Sequence, residues 1–68
     1  MPYVISFNEE TRRFVMNGNE EKFIGDHFTI IAAREGLIPQ IRKAMFESEA
    51  LYILRENGIE IELVDIEW

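Results

Sequence analysis

Residues 51–64, LYILRENGIEIELV, admit two folds. If Asn57-Gly58 is a two-residue turn, Leu54 faces Ile61 and Tyr52 faces Leu63 across a β-hairpin, because such a loop fixes the pairing register. If Asn57 instead caps a helix and Gly58 follows in the left-handed conformation, Leu54 and Ile59 take the two positions whose side chains touch in a Schellman motif. The residues upstream separate the readings. Glu47, Glu49, Ala50, Leu51, Leu54 and Arg55 are good helix formers, so helix followed by strand is expected.

Working back from there, Pro39 suits the first turn of a helix, where its missing N–H would be unpaired anyway, and one long helix is expected over residues 39–57. On a helical wheel it carries two apolar sectors. Ile41, Ala44, Met45, Leu51 and Tyr52 gather on one side, and Phe46, Ala50 and Ile53 lie nearly opposite, beside Leu54. One sector packs on a sheet. The Phe46, Ala50, Ile53 stripe must then meet a shorter helix, a second copy of the chain as a homodimer, or a partner, because a bare stripe of that width is uncommon on a monomer.

The shorter helix is expected within GDHFTIIAAREGL, residues 25–37: Asp26 caps it, it starts near His27 and Gly36 ends it after barely two turns. Toward the N-terminus, PYVISFN and RRFVMNG hold β-branched and aromatic residues in strand-length runs joined by the polar NEET. Residues 3–7 and 12–16 are therefore expected to form a hairpin, ended by Asn17-Gly18, with a short third strand around Lys22–Ile24.

The C-terminal decapeptide IEIELVDIEW, residues 59–68, alternates apolar and acidic residues but slips phase at Leu63-Val64. An uninterrupted strand would turn Asp65 and Glu67 toward the core, where an unpaired carboxylate is costly. A β-bulge at Leu63-Val64, or an end to the strand at Val64, avoids that. With a bulge, Ile59, Ile61, Ile66 and Trp68 point inward and Glu60, Glu62, Asp65 and Glu67 form an outward acidic row. Such a row on an exposed strand discourages aggregation edge to edge, and it also suits a basic groove on a partner.

Sixty-eight residues with 47% apolar content are enough for one small domain, residues 1–68, near the lower limit for a core without staples. The absence of cysteine excludes disulfides and thiolate metal sites. No apolar run approaches the roughly 18 residues needed to span a bilayer, and the N-terminus lacks a signal-peptide pattern, so a soluble cytoplasmic chain without a membrane partner is expected. Seven basic against thirteen acidic residues give a net charge of −6, which repels nucleic-acid phosphate at long range.

No enzymatic constellation emerges. His27 is the only histidine, and on a helix its neighbour Asp26 points about 100° away from it. Ser6, Thr11, Thr29 and Ser48 have no nucleophile motif around them, and the pairs Glu9-Glu10 and Glu20-Glu21 lack the oxygen-ligand spacing of a calcium loop. No catalytic residue, metal or cofactor is expected.

One segment points elsewhere. TIIAAREGLIPQIRKAM, residues 29–45, looks like the helix-turn-helix pattern of small transcriptional regulators through Ala32, Ala33, Gly36, Pro39, Ile41 and Arg42. The resemblance implies a DNA-binding regulator in which Gln40, Arg42 and Lys43 start the recognition helix.

The sequence therefore predicts an α+β domain: an N-terminal β-hairpin, a short helix, a long helix and a C-terminal strand in one small, mainly antiparallel sheet. The primary functional expectation is a non-enzymatic, acidic protein-interaction module. It would occupy a basic, nucleic-acid-binding surface of a larger host protein through Glu60, Glu62, Asp65 and Glu67. Small acidic chains without catalytic motifs are common products of phage and mobile elements, where they act as inhibitors. The alternatives are the DNA-binding regulator and a structural subunit of a homo-oligomer.

Overall fold

The computed structural model describes residues 2–67, and it contains four strands and three helices. Strand β1 spans Tyr3–Asn8 and β2 Arg13–Met16, paired antiparallel with Phe7 opposite Phe14. Their connection is set by Asn8. Its Oδ1 accepts the Glu10 and Thr11 amides, its carbonyl accepts the Arg12 amide at 2.7 Å, and Arg12 enters the left-handed region with φ 59°.

Asn17-Gly18 does not merely end β2. Its φ values of 51° and 79° are the pair that a two-residue type I′ turn requires, and it folds the chain directly into β3, Asn19–Glu21, opposite Phe14–Met16. The third strand therefore precedes the expected Lys22–Ile24, and Ile24 already belongs to a helix. Helix α1 runs Ile24–Glu35, three turns rather than two, with Phe23 and not Asp26 at the N-cap; Asp26 sits within the first turn. Its C-terminus is as expected: Gly36 has φ 72°, and the Leu37 amide reaches back to the Ala32 carbonyl at 2.8 Å.

The single long helix is replaced by two. Helix α2, Ile38–Ile41, is one turn, and α3, Glu47–Glu56, begins after Phe46, whose φ −131° and ψ 156° are extended. The break at residues 42–46 lets Ile38, Ile41 and Ala44 pack against the same core as Ala50, Leu51 and Leu54 of α3, while Met45, Phe46 and Tyr52 stay exposed.

Helix α3 ends as the Schellman reading requires. Gly58 has φ 83°, the Ile59 amide bonds the Leu54 carbonyl at 3.1 Å, Leu54 is fully buried and Ile59 packs beside it. The chain then enters β4, Ile61–Val64, parallel to β1, with Tyr3 opposite Ile61 and Ser6 opposite Val64. The sheet order is β3-β2-β1-β4, two antiparallel pairs and one parallel pair.

The helices cover one face of this sheet. Ile5, Met16 and Ile61 from the strands meet Ile24, Phe28, Ile31 and Ala32 of α1 and Ala50, Leu51 and Leu54 of α3. Val4, Ser6, Val15, Glu20, Glu62 and Val64 alternate with these inward residues or pair with those that do, and so belong to the open face.

The C-terminal phase slip is resolved without a bulge. Pairing is continuous through Leu63 and Val64, and the strand ends at Val64, the second of the two expected solutions; Asp65, with φ 56°, then turns the chain off the sheet. Ile66 packs against the core beyond the turn, while Glu60, Glu62, Asp65 and Glu67 are all exposed. Trp68, expected inward, lies outside the described residues.

Candidate functional site

Two surfaces concentrate chemistry. The first follows β4, which is an edge strand because only β1 pairs with it. The Tyr3 amide donates to the Glu60 carbonyl at 2.9 Å, which in a parallel ladder directs the main chain of Glu60, Glu62 and Val64 toward β1. The main-chain groups of Ile61 and Leu63 therefore point outward. One of them has a partner: the Arg55 guanidinium, from the last turn of α3, donates to the Ile61 carbonyl at 2.8 Å.

A groove of ≈ 550 Å³ lies at the start of this edge, lined by Pro2, Arg55, Gly58, Ile59, Glu60, Ile61 and Glu62. A smaller one of ≈ 260 Å³ continues from Glu60 and Ile59 to Tyr3 and Glu35. The Tyr3 hydroxyl donates to Glu35 Oε2 at 2.7 Å, tying the start of β1 to the end of α1. That hydrogen bond to a carboxylate holds the phenol above its ordinary pKa, because ionising Tyr3 would remove the donated proton and set two negative charges together. Arg34 acts in the opposite direction.

Glu35 thus adds a third carboxylate to Glu60 and Glu62, and Arg55 and Arg34 are the basic groups beside them. The acidic row is divided accordingly. Glu60 and Glu62 share the open face, while Asp65 and Glu67 lie past the turn, beside Phe7, Phe14 and Ile66. Glu35 comes from the end of α1, far from β4 in sequence, and Arg55 from the last turn of α3, six residues before Ile61.

The second surface lies between the helices. A cleft of ≈ 380 Å³ is lined by Gly25 and Thr29 of α1, Ile38 and Ile41 of α2, and Arg42, Ala44 through Glu47 and Ala50 around the break. Met45 is 82% exposed and Phe46 66% on its rim. Of the expected stripe, Phe46 is exposed, Ala50 is buried against the core and Ile53 is half-buried. All three belong to α3 or its N-cap, so their different burial follows from how α3 sits on the core.

One hydrogen bond organises this end of the molecule. The Gly25 amide, an orphan donor of the first turn of α1, gives its proton to Glu47 Oε2 at 2.7 Å. Glu47 belongs to the first turn of α3, so one carboxylate lies at the N-termini of two helices, where partial positive charge favours it. Gly25 makes room: a Cβ there would stand 2.8 Å from that oxygen. The N-cap residues of these helices, Phe23 and Phe46, are both exposed, and Lys22 lies 5.5 Å from the Phe23 ring centroid.

Gln40, Arg42 and Lys43 are exposed, but α2 ends at Ile41. The helix that would carry them into a DNA groove is a single turn, shorter than a recognition helix needs. His27 is fully buried; its Nε2 lies 2.9 Å from the Phe14 carbonyl, which makes it the donor, and its Nδ1 has no partner among the described residues. It joins α1 to β2 within the core. Among the described residues no three of His, Asp and Glu are grouped to hold a metal ion, and no helix is long and apolar enough to cross a membrane.

Comparison of the chain with known protein families, with curated proteins and with solved structures finds no match to any of them.

Proposed function

We propose that the chain is a non-enzymatic protein-interaction module that occupies a basic surface of a larger protein, of the kind that would otherwise hold nucleic-acid phosphates. The observation that carries this reading is the position of Glu60 and Glu62. Both are exposed, both border the groove at the start of the free edge of the sheet, and Glu35 extends the negative charge into the adjoining groove. With a net charge of −6 behind it, this edge steers encounter with a positive patch and disfavours DNA. The apolar rim of Met45 and Phe46 offers a second contact. Inhibition of host machinery by a phage or mobile element is the biological setting that fits such a module.

The test is affinity capture from the source cell, followed by mass spectrometry, with the wild-type chain and with Glu60, Glu62, Asp65 and Glu67 all changed to Lys. The expected result is a captured protein that is lost with the charge-reversed chain and released by salt, while far-UV circular dichroism is unchanged. Equal capture by both chains refutes the reading.

A further inference from the structure

The β4 edge offers more than charge. The Ile61 amide and both main-chain groups of Leu63 point away from β1 and have no partner among the described residues, and the Ile61 carbonyl is held only by the Arg55 side chain. An edge with free donors and acceptors at alternate residues is a template for one more strand. The groove of ≈ 550 Å³ adjoins the Ile61 end of that edge, and Leu63 lies beyond its lining.

The acids decide what the strand is. Antiparallel self-pairing that engages both Ile61 and Leu63 sets Glu62 directly opposite Glu62 of the second copy. That is a non-hydrogen-bonded pair, the closest kind at about 4.5 Å between Cα atoms, and like charges there are destabilising. A strand with Lys or Arg at alternate positions turns the same geometry into attraction. Its basic side chains lie on the open face beside Glu60 and Glu62, and the residues between them cover Ile61 and Leu63 on the helix side.

We infer that β4 binds its partner by strand addition, taking an extended segment of alternating basic and apolar residues as a fifth strand, with the Arg55 guanidinium giving way at the Ile61 carbonyl. This rests on the acidic-edge reading above and specifies how that edge recognises its partner.

The test uses the full chain, labelled with ¹⁵N, and three probes: a blocked hexapeptide of alternating lysine and valine, the same peptide N-methylated at every residue, and poly-L-lysine. The hexapeptide is expected to shift the Ile61 and Leu63 amides, and N-methylation, which removes the peptide's donors but none of its charge, to weaken binding by about tenfold or more. Leu63→Pro is expected to lose the peptide to a similar degree. The Leu63 amide faces outward, so this proline removes no bond to β1. Should that variant misfold, the methylated peptide still gives the answer on the unaltered protein.

Equal binding of both peptides and poly-L-lysine overturns strand addition and leaves the charge reading intact. Failure of all three overturns both. Concentration-dependent shifts of Ile61 and Leu63 without peptide would assign the edge to a second copy and overturn the basic occupant.

Discussion

The contact between Gly25 and Glu47 predicts a substitution whose effect depends on its neighbour. Alanine in place of a helical glycine ordinarily stabilises by about 1 kcal/mol, because glycine loses more backbone freedom on folding. At Gly25 the added methyl would lie 2.8 Å from Glu47 Oε2 and 3.3 Å from its Cγ, so the carboxylate must leave the amide it satisfies. Losing such a cap costs about 1 kcal/mol, and the two effects nearly cancel. Gly25→Ala in the wild-type chain is therefore expected to change stability by less than about 0.5 kcal/mol.

With Glu47→Ala in place, the obstacle and the cap are both gone, and the same Gly25→Ala should recover the full gain of about 1 kcal/mol. Glu47→Ala alone should destabilise by about 1–2 kcal/mol, since it also removes an acid from the first turn of α3. Urea unfolding of the four chains, followed by circular dichroism at 222 nm, gives the cycle; in melting temperature the coupling is roughly 4–8 °C for a domain of this size. An equal effect of Gly25→Ala in both backgrounds would refute the inter-helix cap.

Tyr3→Phe should flatten the alkaline limb of the stability profile. The Glu35 bond raises the folded-state pKa above the ordinary 10.0, so its contribution is fully present below pH 10 and is lost as pH rises from there through the raised value; an identical limb in the variant would deny the link. His27→Leu should cost about 1–3 kcal/mol in the same urea assay by leaving the Phe14 carbonyl without its imidazole donor, and a neutral result would mean that the unpaired Nδ1 costs as much as the bond gains.

The parts of the fold that could be read from sequence are those with local causes. The first hairpin follows from β-branched and aromatic runs around an asparagine-led loop, and the end of α3 from Asn57-Gly58 with Leu54 and Ile59 in register to touch. The misread parts have causes distant in sequence. The first turn of α1 receives an acceptor from Glu47, 22 residues away, so the search for a local cap at Asp26 starts the helix too late. Arg42, Lys43, Ala44 and Met45 are all helix formers, and the break among them, which leaves Ile38, Ile41 and Ala44 packed on the core, has no local signal. Asn19–Glu21 has no strand propensity at all. It pairs because the preceding type I′ turn delivers it to β2.

The candidate site divides in the same way. That the carboxylates of 60, 62, 65 and 67 stay out of the core was legible from the cost of burying them, although the device is the left-handed turn at Asp65 and not a bulge. That Glu35 joins them depends on the end of α1 meeting the edge, which no local pattern encodes, whereas Arg55 stands six residues before Ile61.

The parallel pairing of β1 with β4 joins Tyr3 to Ile61, whereas the β1–β2 hairpin closes between Asn8 and Arg13. Closing the larger loop costs roughly 2 kcal/mol more in chain entropy, so the hairpin and helices should form first and β4 dock late in folding. During synthesis, β1 must therefore wait with one side unpaired until residues 61–64 have left the ribosome. Through that interval the nascent chain offers a second open edge, at Tyr3 and Ile5, which the completed fold closes with β4.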